Sequence, residues 1–167
     1  MKNTFGSKTL SIFLALGFVF TLVNVIPMND VSAAEAIYRV VPGGDASESC
    51  GDTWENACDL QYALATKSLP GDELWVKAGT YKPTTTDDRT VSFVLKSGVA
   101  LYGGFAGTET SREERNWEEN ITILSGDIGT VGNSSDNSYH VLTGVTGATL
   151  DGFTITAGTA NGSDPQN

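Results

Sequence analysis

Basic residues, thiols and imidazoles are scarce in this chain. Its 167 residues include 10 Lys+Arg against 20 Asp+Glu, two cysteines and one histidine, for a formal net charge of -10. An acidic surface repels phosphate backbones and anionic lipid, which argues against nucleic-acid binding and weighs, more weakly, against tight capture of polyanionic polysaccharide. A zinc site of the Cys/His type lacks its ligands. There is no second cysteine pair, and His140 lies far along the chain from Cys50 and Cys58. Long apolar runs are also missing beyond Ile26, so no later segment can span a membrane as a helix.

The apolar run that is present sits where export requires it. Lys2 and Lys8 give a positive start, Leu10 to Ile26 is mostly apolar, Pro27 stops any helix, and small residues gather from Val31 to Ala36. This is the layout of a secretory signal over residues 1–36, with cleavage after either Ala33 or Ala36. Without Lys2, Lys8, Asp30 and Glu35 the remainder keeps 8 Lys+Arg and 18 Asp+Glu, so its net charge stays at -10. A secreted or cell-surface location is therefore expected. In an oxidising compartment Cys50 and Cys58 are expected to pair, closing a small loop that contributes about 2–3 kcal/mol in the chain-entropy estimate. Metal binding by the two thiols is the alternative.

Glycine is abundant, and short β-rich runs lie between the glycines. The pattern predicts strands at Ile37–Val41, Glu73–Lys77, Val91–Leu95, Val99–Tyr102, Ile121–Leu124, Tyr139–Thr143 and Phe153–Thr156. One segment, about Thr53 to Lys67, reads as a helix with Leu60, Ala63 and Leu64 on one face and Asp52 or Thr53 as its cap. A Leu-x-Gly unit recurs at Leu101, Leu124, Leu142 and Leu150. With Leu142 set aside and Leu74 added, the steps from Leu74 to Leu101, to Leu124 and to Leu150 are nearly equal and have the length of stacked repeats. In such a stack Leu74 and Val76 face inward around an outward Trp75, and Phe153 and Ile155 face inward around Thr154. Either parity remains open at Ile121–Leu124. An antiparallel sandwich is the competing arrangement.

The block Leu60-Gln61-Tyr62-Ala63-Leu64, then Pro70-Gly71-Asp72-Glu73-Leu74-Trp75-Val76 and Ala78-Gly79-Thr80-Tyr81, resembles the entry to right-handed parallel β-helix proteins of the pectin-lyase-like class. Ser97 to Glu109 with its Tyr102-Gly103-Gly104-Phe105 core, Arg115-Asn116-Trp117, Ile123-Leu124-Ser125-Gly126-Asp127 and Leu150-Asp151-Gly152-Phe153 are similar to bacterial secreted proteins of that class. Polymorphic outer-membrane-type surface proteins are among them. The resemblance implies an all-β right-handed parallel β-helix, a solenoid whose N-terminal helix caps the first coil. Residues 37–72 would form the entry strand, disulfide loop and cap, and residues 73–167 the first coils. It also implies an incomplete fragment, since such proteins run on for many coils.

Function is expected to be structural, adhesive or glycan-contacting, with extracellular polysaccharide or other surface proteins as partners. The alternative is the N-terminal part of a polysaccharide lyase or glycoside hydrolase, and whether the protein is an enzyme stays open. Lyases and hydrolases of the class set carboxylates on one sheet. Asp127, Asp136 and Asp151 are the candidates here, with Arg112, Arg115 or His140 as bases. Turn chemistry explains these Asp residues as well, and no catalytic residue is assigned. No cofactor is expected. Calcium at the Gly/Asn/Ser-rich loop around Asp127 and Asp136 is the one metal to consider. His140 reads as an exposed strand residue. Trp54, Trp75 and Trp117 could each stack on a sugar ring, and strand parity makes Trp75 the first choice.

Overall fold

A computed structural model describes residues 35–163. The expected signal segment lies outside the described residues, apart from Glu35 and Ala36. The chain forms β1 (Ile37–Asp45), α1 (Leu60–Tyr62) running into a π-helical turn (Ala63–Lys67), β2 (Glu73–Lys77), β3 (Gly79–Tyr81) and β4 (Phe93–Val94). Then come β5 (Ala100–Phe105), a 3-10 turn (Arg112–Glu114), β6 (Thr122–Ser125), β7 (Leu142–Thr143), β8 (Thr149–Asp151) and β9 (Phe153–Thr156).

The strands pair in parallel and form three small sheets, ordered β1-β2-β5-β8, β3-β6-β9 and β4-β7. Register places Tyr38, Leu74, Leu101 and Leu150 in one column of the first sheet. Tyr81, Leu124 and Ile155 form a column of the second, and Phe93 pairs with Leu142 in the third. Val40, Leu74, Val76, Tyr81, Phe93, Leu101 and Leu124 meet in one buried cluster between the sheets. Along each strand alternate side chains turn to this cluster, as the pleat requires. On the outer side of β2 Trp75 is buried as well, between half-buried Glu73 and Lys77, because a parallel sheet can be covered on both faces.

The expected all-β right-handed parallel β-helix is corrected. Strand makes up 30% and helix 9%, and the small parallel sheets neither close into a barrel nor continue as a solenoid among the described residues. The spacing of the columns gives the reason. Leu101 pairs with Leu74 on one side and Leu150 on the other, and the second step is nearly twice as long as the first. Leu124 belongs to a different sheet from all three. The Leu-x-Gly recurrence therefore mixes positions on different sheets and is not one regular repeat. Strands β3 and β8 are absent from the sequence expectation. At β6 the open parity resolves with Thr122 and Leu124 buried and Ile121 44% exposed. Ile155, expected inward, is 49% exposed because β9 is the outer strand of its sheet.

The helix is shorter than expected. It starts at Leu60, where Asp59 takes the cap position and its side chain accepts the Tyr62 N–H at 3.0 Å. Residues before it are held extended against β1: Asp45 donates to the Ala57 carbonyl at 2.9 Å and Asp59 donates to the Asp45 carbonyl at 2.8 Å. The face anticipated from spacing is the buried one, with Leu60, Ala63 and Leu64 at 1, 0 and 2% exposure. Lys96 donates to the carbonyls of Ala65 and Ser68, satisfying the helix end.

Cys50 and Cys58 form a disulfide, and both are fully buried. The bridged loop lies along the outer side of β1, where Arg39 donates to the Gly51 carbonyl at 2.9 Å. An edge strand that would otherwise offer free N–H and C=O groups is thereby paired. No helix among the described residues is long and apolar enough to cross a membrane.

Candidate functional site

The outward face of the first sheet carries the chemistry. Arg39, Trp75, Tyr102 and Asp151 stand in register across all four strands, on the side opposite Val40, Leu74 and Leu101. In an isolated sheet this row would meet water. Here the end of β5 and the disulfide loop cover its first half. Phe105 stacks on Trp75 with ring centroids 5.0 Å apart, Trp54 from the disulfide loop packs on Phe105 at 5.6 Å, and the Arg39 guanidinium lies 5.6 Å from the Trp75 ring. Trp54 Nε1 donates to the Glu109 carbonyl at 3.0 Å.

Trp75 is therefore only 3% exposed, with its indole N–H given to Glu73 Oε2 at 2.7 Å. Parity does put it opposite Leu74 and Val76, but the outer face is covered there, and no ring face is left for a sugar. Trp75 is corrected from glycan contact to packing. Trp54 is half-buried in the same stack.

The covering loop is anchored by acidic side chains. Glu109, 7% exposed, accepts N–H groups from Ala106, Gly107 and Thr108 at 2.6–2.9 Å. Burial pushes its pKa up, but the amide donors, led by Ala106 and Thr108, outweigh that and hold it below the ordinary glutamate value. Ser111 and Glu114 form a capping box around the 3-10 turn. Amide donors from Thr110 and Ser111 lower the Glu114 pKa. These anchors aim two arginines back at the sheet.

Arg112 pairs with Glu73 at 2.6 Å and lies 4.7 Å from the Tyr102 ring centroid. The Glu73 charge raises its pKa further. Arg115 pairs with Asp151 at 2.8 Å, donates to the Gly103 carbonyl at 3.0 Å, and sits 5.1 Å from the Tyr102 ring and 5.2 Å from the Trp117 ring. Its side chain is 11% exposed, whereas that of Asp151 is 52% exposed. Trp117 is 53% exposed. The product is an aromatic plate backed by a fixed guanidinium, with a carboxylate open to solvent on the same guanidinium.

Two glycines make this approach possible, Gly104 just after one Leu-x-Gly unit and Gly152 within another. Gly104 has φ +95°, and a Cβ there would fall 2.7 Å from Trp117 Cα. Gly152 has φ +80°, and its Cβ would meet the Arg115 guanidinium at 2.9 Å. The signal in Tyr102-Gly103-Gly104 and Asp151-Gly152 thus reports the room needed for the Arg115-Asn116-Trp117 segment.

The remaining candidates lie elsewhere. Asp127 accepts the Gly132 N–H at 3.0 Å, and Asp136 accepts Thr130 N–H and Asn133 Nδ2, both at 3.0 Å. These are bonds of turn closure, led for Asp136 by the Thr130 amide, which lowers its pKa. Asp136 Oδ1, Asn137 Oδ1 and Ser138 Oγ are buried without a partner among the described residues. No group of three or more His, Cys, Asp or Glu is placed to hold a metal among the described residues. His140 is exposed but precedes β7, not within a strand. It borders an open hollow lined by Tyr139, Leu142, Ile155 and Ala160 at the outer strands β7 and β9.

Of the acid and base candidates, the fold brings together Arg112, Arg115 and Asp151 and leaves Asp127, Asp136 and His140 apart. Trp117 is one of three tryptophans in the sequence; its setting beside Glu118 and Glu119 is the available signal for exposure. The chain matches no protein-family model, and neither a curated protein nor a solved structure matches it.

Proposed function

We propose that this is an exported surface protein with a structural or adhesive role, contacting extracellular glycan through the Trp117–Arg115–Asp151 surface. One observation carries the reading: the half-exposed Trp117 indole, held by a guanidinium that also fixes an exposed carboxylate. An indole face accepts the C–H side of a pyranose, and the flanking carboxylate accepts its hydroxyls. Positioning on a rigid sheet, through Tyr102 and Gly103, keeps the plate and its hydrogen-bonding partner preorganised.

Affinity electrophoresis through gels containing soluble polysaccharides tests this. Trp117→Ala is expected to weaken glycan retention about tenfold, since stacking on an aromatic face contributes about 1–1.5 kcal/mol. Retention unchanged by the substitution would place any glycan contact elsewhere.

Export is supported by the signal-like start and by the disulfide, which persists in oxidising compartments. The fold also favours one cleavage point. Ala36 donates to Asp72 Oδ1 at 2.9 Å, and its carbonyl accepts the Glu73 N–H at 2.9 Å. Cleavage after Ala36 would remove both bonds; cleavage after Ala33 keeps them. The mature protein is expected to begin at Ala34, as read by intact mass. A start at Ile37 would exclude that choice.

A further inference from the structure

Resting on that glycan reading, we propose that the surface selects neutral polysaccharide and rejects polyuronate or sulfated chains. Recognition of an anionic sugar needs a guanidinium or ammonium free to meet its carboxylate or sulfate. Here both cations of the site are already engaged by carboxylates of the fold: Arg112 by Glu73 at 2.6 Å and Arg115 by Asp151 at 2.8 Å. Arg115 also spends a donor on the Gly103 carbonyl at 3.0 Å and is only 11% exposed, so a ligand cannot displace Asp151 without opening the loop.

The surroundings add charge of the wrong sign for a polyanion. Glu113, Glu118 and Glu119 are all exposed next to Arg112 and Trp117 in the chain. With Glu73 and Asp151, carboxylates outnumber the two guanidiniums. Farther along the sheet, Arg39 is held over Trp75 and donates to the Asp52 carbonyl at 2.7 Å. What remains open to a ligand is an uncharged aromatic face, carboxylate acceptors and the outer edge of an Arg112 side chain that is 39% exposed but paired with Glu73, a set suited to C–H faces and hydroxyl groups.

The test runs the full chain, and its Asp151→Asn variant, through native gels containing a neutral β-glucan, a neutral galactan or polygalacturonate, at about 0.05 M and about 0.5 M NaCl. Expected for the native chain is retardation by a neutral polysaccharide, changing less than about twofold with salt, and none by polygalacturonate. Asp151→Asn releases the Arg115 charge and is expected to give new, salt-sensitive retardation by polygalacturonate; circular dichroism confirms that the variant is folded. Salt-sensitive retardation of the native chain by polygalacturonate alone would overturn the selectivity while leaving glycan binding standing. Retardation by none of the three would overturn the glycan reading itself.

Discussion

Leu64→Asp will abolish or nearly abolish the folded state at neutral pH. Leu64 is 2% exposed and belongs to the buried cluster that also holds Leu60, Val40, Leu74 and Leu101. Removing its buried surface costs about 2–3 kcal/mol, and placing an unpaired carboxylate there costs several more. The sum is comparable to the whole stability of a typical domain. The π-helical turn leaves little escape, because Ser68 donates its N–H to the Ala63 carbonyl at 3.0 Å and Lys96 holds the carbonyls of Ala65 and Ser68. Urea denaturation should show loss of the native baseline, while Leu64→Met, which conserves volume, costs under about 1.5 kcal/mol. The pH dependence gives a second check. Burial raises the folded-state pKa of the introduced carboxyl above its unfolded value of about 3.9. The penalty is therefore complete above the raised pKa and shrinks as pH falls through it. A midpoint equal to that of the native chain would mean that the helix is dispensable to the core.

Replacing both Cys50 and Cys58 by Ala should lower stability by about 2–3 kcal/mol, through the conformational freedom restored to the unfolded loop. For a folded region of this length that corresponds to roughly 8–12 °C in Tm. The effect should reach beyond the loop. The bridged segment pairs β1 through Gly51 and Ala57, and it delivers Trp54 to the Phe105–Trp75 stack. Loosening it should alter near-ultraviolet tryptophan dichroism before far-ultraviolet strand signal is lost. A Tm within about 1 °C of the native value would show that the loop is held by its hydrogen bonds alone.

Several elements are legible in the sequence because they depend on local rules. Glu73–Lys77 and Phe153–Thr156 alternate as strands do and are strands with those bounds. The apolar face of Leu60, Ala63 and Leu64 follows from helical spacing, and the Cys50–Cys58 pair follows from count and compartment. The N-terminal limit of the helix is not legible, because Thr53 to Cys58 is permissive for helix by composition, while in the fold Ala57 and Cys58 pair with β1 and Cys58 closes the disulfide. Tertiary bonding overrides a weak local preference.

The candidate site shows the same division more sharply. Composition alone determined that the chain is acidic. Parity alone determined that Trp75 opposes the core, and it could not say that Phe105 at the end of β5, with Trp54 behind it, would cover it. Which tryptophan meets solvent, which carboxylate each arginine takes, and whether the recurring Leu-x-Gly units share a sheet were decided only by tertiary structure. Alternation is a property of one strand. Coverage of its outer face, and the register between strands as distant in sequence as β5 and β8, depend on loops whose path no local pattern encodes.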